Sequence, residues 1–163
     1  MVILGIDPGT RIAGFGILKK EKGQGILLEC GYLSLPATKT IVQRLRIFHD
    51  FFKGKIEQHS VTHISLETPF LGKNAQNFLK LGYLRGILYL LADQHSILIH
   101  EFTPTQIKQT ITGFGGAPKE QVARVIFQLL PNIEKPKKED VTDALAVMLC
   151  GLWQQQRISN IVQ

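Results

Sequence analysis

The sequence predicts an α/β fold, in which a five-stranded mixed sheet is flanked by helices. Near the N-terminus, three apolar segments are separated by short loops, and this spacing indicates an antiparallel meander. A long amphipathic segment then precedes a fourth apolar segment, and a helix between two strands favours a right-handed crossover to a parallel strand. The free side of the first strand is the natural place for this fourth strand to pair.

The strands are predicted from apolar runs that end at turn residues. Residues 2–6 form an unbroken apolar run, typical of a strand buried on both faces, and Asp7 follows directly before the Pro8-Gly9 turn. A carboxylate there suits a metal ligand or a catalytic acid, but it also suits an Asp that only starts a turn. The remaining strands are predicted at 12–18, 26–35, 61–66 and 96–102, with a hairpin loop at 19–25.

Helices are predicted where apolar residues recur at every third or fourth position. The first predicted helix begins near residue 38 and has about five turns. Gly82 and Gly86 would weaken the second, at 74–94, unless something packs closely against it. Residues 113–116, a Gly-Phe-Gly-Gly stretch, are interpreted as a flexible hinge. The other helices are predicted at 105–112, from Pro118 and from Asp140.

Length and composition predict one domain, 1–163, whose residues 154–163 form a tail that frays. The chain is 44% apolar, but no apolar run approaches the roughly 20 residues of a membrane span. The N-terminus lacks a signal-peptide pattern, so we expect a cytoplasmic protein with no membrane partner. Cys30 and Cys150 are isolated and are expected to be reduced, buried thiols. The net charge of +6 suits a polyanionic partner.

The acidic residues cluster where chemistry could occur. Asp140 and Asp143 share one face of the first turn of the last helix, where they could simply cap it. The core residues that follow indicate instead that this turn presses against the sheet. Asp7 and Glu67 stand at the ends of two strands that are predicted to pair, so four carboxylates converge. Without a cation they would repel, and hard divalent ions such as magnesium prefer such oxygen ligands.

Several short motifs together resemble the RuvC-type Holliday junction resolvases, in order, from residue 2 to about residue 152. The first is Ile6-Asp7-Pro8-Gly9-Thr10 at the start of the chain. The others are Glu67-Thr68-Pro69-Phe70, Lys73-Asn74-Ala75, Lys80-Leu81-Gly82, Lys108-Gln109-Thr110 and the stretch from Asp140 to Ala146.

This resemblance implies a ribonuclease H-like fold with strand order 3-2-1-4-5 and strand 2 antiparallel. It also implies that Asp7, Glu67, Asp140 and Asp143 are catalytic and bind two Mg²⁺ ions per subunit, with Mn²⁺ as a substitute. Some relatives have His at the position of Asp140, so this chain would have a site made of carboxylates alone. Two such ions can activate a water and stabilise the leaving oxygen in phosphodiester cleavage.

The same resemblance implies how DNA is held. Lys108 and Lys119 match lysines that the family uses at the DNA or near the active site. Phe70 would stack on an unpaired base at the junction centre, although it could equally be a core residue. Weaker candidates for phosphate contacts are Lys73, Arg11, Arg85, Lys135, Lys137 and Lys138.

The implied substrate is four-way junction DNA, cut twice in a symmetric manner to leave 5′-phosphate ends during recombination and repair. A homodimer would supply the two equivalent sites, with the 74–94 helix as the candidate interface. The resemblance further implies cooperation with the RuvA and RuvB branch-migration proteins.

Two other readings stay open at this point. An Asp-x-Gly-Thr motif after a buried strand also begins actin-like ATPases and sugar kinases, but those need two facing domains. A non-catalytic junction-binding module is the other alternative, but a pure phosphate binder gains nothing from four acids beside its ligand.

Overall fold

The computed structural model describes residues 1–69, 74–131, 133–134 and 136–161, with side chains described as far as residue 154. The strands, in chain order, are β1 (Val2–Asp7), β2 (Ile12–Glu21), β3 (Gln24–Ser34), β4 (His63–Glu67) and β5 (Leu98–Phe102). The helices are α1 (Ile41–His59), α2 (Ala75–Gln94), α3 (Pro104–Thr112), α4 (Lys119–Leu129) and α5 (Glu139–Ile161).

The strands form one sheet in the order β3-β2-β1-β4-β5. The β1–β2 and β2–β3 pairs are antiparallel, whereas β4 pairs parallel with both β1 and β5. The predicted fold class is therefore confirmed, including the position of the fourth strand beside the first. The connection from β3 to β4 is a crossover that contains α1. As a result, β1 has an antiparallel neighbour, β2, on one side and a parallel neighbour, β4, on the other.

The hairpin between β2 and β3 has a shorter loop than the sequence predicts. β2 extends to Glu21 and β3 begins at Gln24, so the turn contains only Lys22 and Gly23. Their φ angles of 49° and 84° are both positive, as a two-residue turn that follows the twist of the strands requires. The predicted loop at 19–25 was too long because the exposed end of the hairpin carries polar residues, which hide the strand pattern.

Two hydrophobic cores cover the two faces of the sheet. On one face, α1 and α2 pack against β1, β2 and β4, and Phe48 and Phe52 of α1 are fully buried with ring centroids 4.6 Å apart. On the other face lies α5, flanked by α3 and α4. Residues 144–152 of α5 are buried, because the helix lies between the sheet and these two shorter helices.

The helix ends follow local sequence signals. Thr40 and Thr103 each begin a helix with a capping box, closed by Gln43 and Gln106 respectively. The backbone of α5 is helical to Ile161, so it includes most of the predicted tail; the division into one domain with a fraying tail stays a prediction.

The two cysteines are unpaired thiols. Cys150 is buried, as predicted, whereas Cys30 is only half-buried. In the part of the chain that the structure describes, no helix is both long and apolar enough to cross a bilayer.

Candidate metal and nucleic-acid site

Asp7 and Glu67 lie side by side at one end of the sheet. β1 and β4 pair in parallel with Ile6 opposite Leu66, so the next residue of each strand ends it at the same level. Neighbouring strands are about 4.8 Å apart, which brings the two carboxylates to adjacent positions. The side chains of both are partly buried, because the strands behind them belong to the core.

The first turn of α5 reaches this end of the sheet because glycines leave room for it. A Cβ on Gly14 would come within 1.9 Å of the main-chain carbonyl oxygen of Asp140, and one on Gly5 within 2.4 Å of that of Ala144. Asp140 Oδ1 lies 3.8 Å from where a Cβ on Gly9 would stand. The small strand residues therefore position the acidic turn against the Asp7 loop.

The negative charges of neighbouring acidic groups raise the pKa values of Asp7 and Glu67. Burial is the largest cause that raises the pKa of Asp7, to about 7. The negative charges of Asp143, Asp140 and Glu67 add to this rise in that order, and the charge of Lys119 opposes it. The pKa of Glu67 is also raised, by burial first and then by Asp143. The four predicted carboxylates thus belong to one electrostatic cluster.

A cavity of about 450 Å³ opens beside these groups, and Asp7, Glu67 and Asp143 line it. Oxygen ligands without thiolate or imidazole suit a hard divalent cation such as Mg²⁺. Among the residues that the structure describes, no three acidic, His or Cys side chains are close enough together to hold a metal ion in this conformation. The chemistry of the donor set fits the cation, although Asp140 is not among the residues that line the cavity.

Two lysines face the same cavity. Lys108 lines it from α3, and Lys119 lines it from the first residue of α4. Lys119 Nζ donates to Asp143 Oδ2 over 3.1 Å. This hydrogen bond and the charge of Asp143 raise the pKa of Lys119, so its ammonium group stays cationic at neutral pH. The cavity therefore combines acidic ligands with cations that could meet a phosphate.

The structure describes only some of the remaining residues that are predicted to contact DNA. The Arg11 side chain is exposed beside the Asp7 turn, and its main-chain carbonyl accepts from the N–H of Leu35 over 2.7 Å. Phe70 and Lys73 lie outside the described residues, as does Lys135.

The prediction that Arg85 contacts phosphate is wrong, because this side chain is 5% exposed and committed to internal partners. Arg85 Nη1 donates to the main-chain oxygen of Glu67 over 2.7 Å. Its Nη2 donates to Glu101 Oε1 and to the Tyr89 hydroxyl oxygen. The sequence gives no signal for this role, because two of the three partners of Arg85, Glu67 and Glu101, come from β4 and β5.

A second arginine, which sequence reasoning missed, supports the turn that follows β1. Arg44 Nη1 of α1 donates to the main-chain oxygen of Thr10 over 2.9 Å. The Thr10 hydroxyl also donates to Asn77 Oδ1 over 3.4 Å. The Thr10 carbonyl after β1 and the Glu67 carbonyl at the end of β4 are thus each held by an arginine, from α1 and α2 respectively.

A mixed sheet of order 3-2-1-4-5, with acidic residues where β1 and β4 end and an acidic helix turn beside them, defines a ribonuclease H-like fold. Within that class, the family model described as "Crossover junction endodeoxyribonuclease RuvC" matches residues 3–151. The chain belongs to this family.

Curated relatives agree over nearly the whole chain. A crossover junction endodeoxyribonuclease RuvC of Moorella thermoacetica is 39% identical over 150 residues, which cover 92% of this chain and 90% of the relative. Its counterpart in Pelodictyon phaeoclathratiforme is 38% identical over 152 residues, covering 93% of this chain and 80% of the relative.

Solved structures show the same architecture. Thermus thermophilus RuvC in complex with a Holliday junction substrate superposes with a TM-score of 0.87 at 25% identity, covering 96% of both chains. The yeast mitochondrial Holliday junction resolvase Ydc2 shares the fold, with a TM-score of 0.68 at 14% identity over 94% of this chain and 79% of that one. These findings do not favour the ATPase or the non-catalytic reading.

Proposed function

We propose that this protein is a structure-specific endonuclease that resolves four-way DNA junctions by two symmetric, metal-dependent phosphodiester hydrolyses. The observation that carries the proposal is the cluster of Asp7, Glu67, Asp140 and Asp143 at one end of the sheet, with the pKa of Asp7 raised to about 7. Burial and, after it, the neighbouring negative charges disfavour the ionised form of Asp7. Such an arrangement costs stability and is expected where a cation compensates it. Family membership supplies the reaction class.

The four carboxylates would hold two Mg²⁺ ions per subunit, with Mn²⁺ as a substitute. When bound, such ions lower the pKa of a coordinated water and stabilise the oxygen that leaves phosphorus. Asp7 and Glu67 end two paired strands. Arg85 donates to the Glu67 carbonyl. Arg44 donates to the Thr10 carbonyl, and these two contacts would hold the ligands in place before a cation binds. Cleavage at the 3′-oxygen would leave 5′-phosphate ends.

The cations around the cavity would orient the DNA backbone. Lys108 and Lys119 line the cavity together with the acids, and each can meet a phosphate as a mobile point charge. If Asp143 held a cation, the Lys119 ammonium group would be free to contact the scissile phosphate. The exposed Arg11 could contact a phosphate next to the Asp7 turn.

Phe70 and Lys73, in the loop after Glu67, are proposed as a base-stacking aromatic and a further phosphate contact. Replacement of Phe70 by Ala is expected to slow cleavage more than it weakens junction binding. Unchanged single-turnover cleavage by this variant would contradict the stacking role.

A homodimer would present two equivalent sites to the junction. One face of α2 carries the exposed apolar residues Leu79, Tyr83 and Leu90, which expose 56%, 44% and 52% of their surface. A Cβ on Gly82 or on Gly86 would meet no atom within 4 Å, so packing inside the described chain does not explain these two glycines. A second copy packed against α2 would explain both features.

The cellular setting follows from the family alone. We propose a cytoplasmic enzyme of homologous recombination and DNA repair that works with the RuvA and RuvB branch-migration proteins. The protein would form one domain, with residues 154–163 as a tail.

A synthetic mobile four-way junction tests the proposal most directly. The purified protein is incubated with the junction and Mg²⁺, and the products are scored on a denaturing gel. Paired nicks in two strands of like polarity, at symmetric positions, are expected. Linear duplex of the same sequence serves as the control substrate, and ligation of the products tests for 5′-phosphate ends. Absence of cleavage in Mg²⁺ and in Mn²⁺ would contradict the proposal.

A further inference from the structure

The loop between α3 and α4 presents an aromatic side chain to solvent. Phe114 exposes 62% of its surface, more than any other aromatic residue that the structure describes. A single exposed apolar residue is common on protein surfaces and by itself needs no explanation. Phe114 differs from such residues in two respects, the hydrogen bonds that hold its loop and the position of the loop beside the cavity.

The loop is held by side chains and is not the flexible hinge that its glycines predict. Gln109 Nε2 donates to the Gly113 carbonyl over 2.7 Å, and Gln109 Oε1 accepts from the Gly115 N–H over 3.0 Å. The Thr112 hydroxyl oxygen accepts from the Phe114 N–H over 3.1 Å. Gly113 has a φ of 78°, which a glycine adopts without strain. Most of the polar groups at the apex of the loop are therefore satisfied locally.

The Phe114 ring itself has a defined seat. A Cβ on Gly116 would come within 2.8 Å of ring atom Cζ, so the ring lies over the backbone of Gly116. A Cβ on Gly115 would come within 2.8 Å of Thr105 Cγ2, which places the loop against the first turn of α3. Pro104, next in the chain to Thr105, lines the acidic cavity. The aromatic loop therefore lies on the rim of the candidate active site.

The two helices that flank this loop in the chain each carry a lysine. The loop joins the helix that carries Lys108 to the helix that begins with Lys119, and both lysines line the cavity. An aromatic ring between phosphate-binding cations is the combination with which proteins hold unpaired nucleotides, since every base has a face that can stack. A rigid loop that presents the ring in advance loses little conformational freedom when the base arrives.

We propose that Phe114 is a stacking platform for an unstacked base of the DNA strand that enters the Asp7–Glu67 cavity. The inference rests on the proposed function, and it adds a second aromatic contact on the α3–α4 side of the cavity. Phe114 acts here as a substrate-positioning residue, because it touches the DNA away from the reacting phosphate.

Three substitutions separate stacking from mere packing. Phe114→Ala removes the ring, Phe114→Leu keeps an apolar side chain without an aromatic face, and Phe114→Trp keeps the aromatic face. Ile26→Ala is the matched control, because Ile26 is also an exposed apolar residue, at 48%, and pairs with Lys19 near the hairpin, far from Asp7. Each variant is first compared with wild type by thermal unfolding.

Binding to a four-way junction is measured in chelator, where no cleavage occurs, and single-turnover cleavage is measured in Mg²⁺. We expect the Kd of Phe114→Ala and of Phe114→Leu to rise about tenfold, the scale of one base–aromatic stack. Phe114→Trp should bind like wild type. Its added indole should also change emission on binding, relative to wild type, in which Trp153 is the single tryptophan.

The outcomes distinguish the two proposals. Wild-type binding by Phe114→Ala, or rescue by Leu as complete as by Trp, would overturn the stacking role while junction cleavage by wild type upheld the endonuclease. If Phe114→Ala fails to fold, the Leu–Trp comparison and the indole emission decide in the same way. A wild-type protein that neither binds nor cuts the junction would contradict both proposals.

Discussion

The backbone of Gly14 in β2 lies directly against the main-chain carbonyl of Asp140 in α5. A Cβ at Gly14 would stand 1.9 Å from that oxygen and 2.7 Å from the nitrogen of Val141. A strand position without a side chain therefore allows the first turn of α5 to rest on the sheet. The distance between Asp7 and the acidic turn of α5 depends on this contact, since β2 is the strand next to β1.

Gly14→Ala is expected to push the start of α5 away from the sheet. Overpacking at this contact should lower the free energy of unfolding by about 1–3 kcal/mol and should slow cleavage, because Asp140 and Asp143 move away from Asp7. Chemical denaturation and single-turnover cleavage are the measurements. The control is Gly54→Ala in α1, where a Cβ meets nothing within 4 Å and the protein should gain about 0.5–1 kcal/mol. A folded Gly14→Ala variant with full activity would refute the positioning argument.

Asp7→Asn is expected to lower the cleavage rate by about a hundred- to a thousandfold or more, while junction binding stays close to wild type. The substitution removes the most strongly perturbed carboxylate of the cluster but preserves its shape. Because it also removes a repelled charge, the metal-free variant should melt at a higher temperature than wild type. Asp50→Asn, at an exposed position of α1, is the control. Robust cleavage by Asp7→Asn, or by wild type in excess chelator, would show that the carboxylates have no catalytic role.

Lys119→Gln is expected to weaken junction binding at every sequence and to slow cleavage about tenfold or more. A lysine that contacts one phosphate releases about one counterion, so the slope of log K against log salt should become shallower by about one. The slope is measured by titration at several salt concentrations. Lys22→Gln, in the hairpin turn, should leave it unchanged. An unaltered slope for Lys119→Gln would confine this lysine to its ion pair with Asp143.

Gly86→Leu is expected to separate folding from assembly. Within the described chain a side chain at this position meets no atom, and the loss of a helical glycine should stabilise the monomer by about 0.5–1 kcal/mol. The bulky side chain should nevertheless block the approach of a second α2 and shift the protein toward monomer. Sedimentation at micromolar concentration measures this shift, with Gly54→Leu in α1 as the control. A wild-type protein that sediments as a monomer would remove the proposed interface.

His63 and His100 are expected to make stability sensitive to acid. Their rings stack with centroids 5.4 Å apart. Burial lowers the pKa of both, and the charges of His100 and of the amino group of Met1 lower that of His63 further. Between the ordinary pKa of about 6.5 and the lowered values, the folded chain binds fewer protons than the unfolded chain. Stability therefore falls as the pH drops across this window, and the loss is complete below the lowered pKa values.

His63→Phe should preserve ring packing and reduce this acid sensitivity, by up to about 1.4 kcal/mol for each pH unit. Unfolding free energies between pH 5 and 8 test this, with His95→Phe at the end of α2 as the control. An identical pH profile for wild type and His63→Phe would exclude the pair as a source of acid sensitivity.

Local patterns predicted the elements well where each element has its own signal. The apolar run before Asp7 and the helical spacing around Phe48 and Phe52 both gave the correct type of element. The hairpin end at Lys22 and the loop around Phe114 were misjudged for a shared reason. In both, polar side chains or glycines suggest flexibility, whereas backbone pairing and Gln109 provide the order.

The site residues differ in the same way: local sequence indicates some of them and not others. The acidic residues stand at positions that local sequence already marks, because strand ends and a first helical turn can be recognised in the chain. The local sequence around Arg85 gives no such signal. Arg85 was therefore predicted to contact phosphate, whereas it donates to the carbonyl of Glu67.

By itself, the sequence determined the order and type of the elements, the crossover that pairs β4 with β1, and the four carboxylates as candidates. These depend on apolar period, turn residues and spacing, which act over short stretches of chain. Only the tertiary structure decided how closely α5 approaches Gly14, which cation pairs with Asp143, and which arginines fix the strand ends. Those contacts join residues far apart in the chain, and their distances depend on how side chains pack between layers.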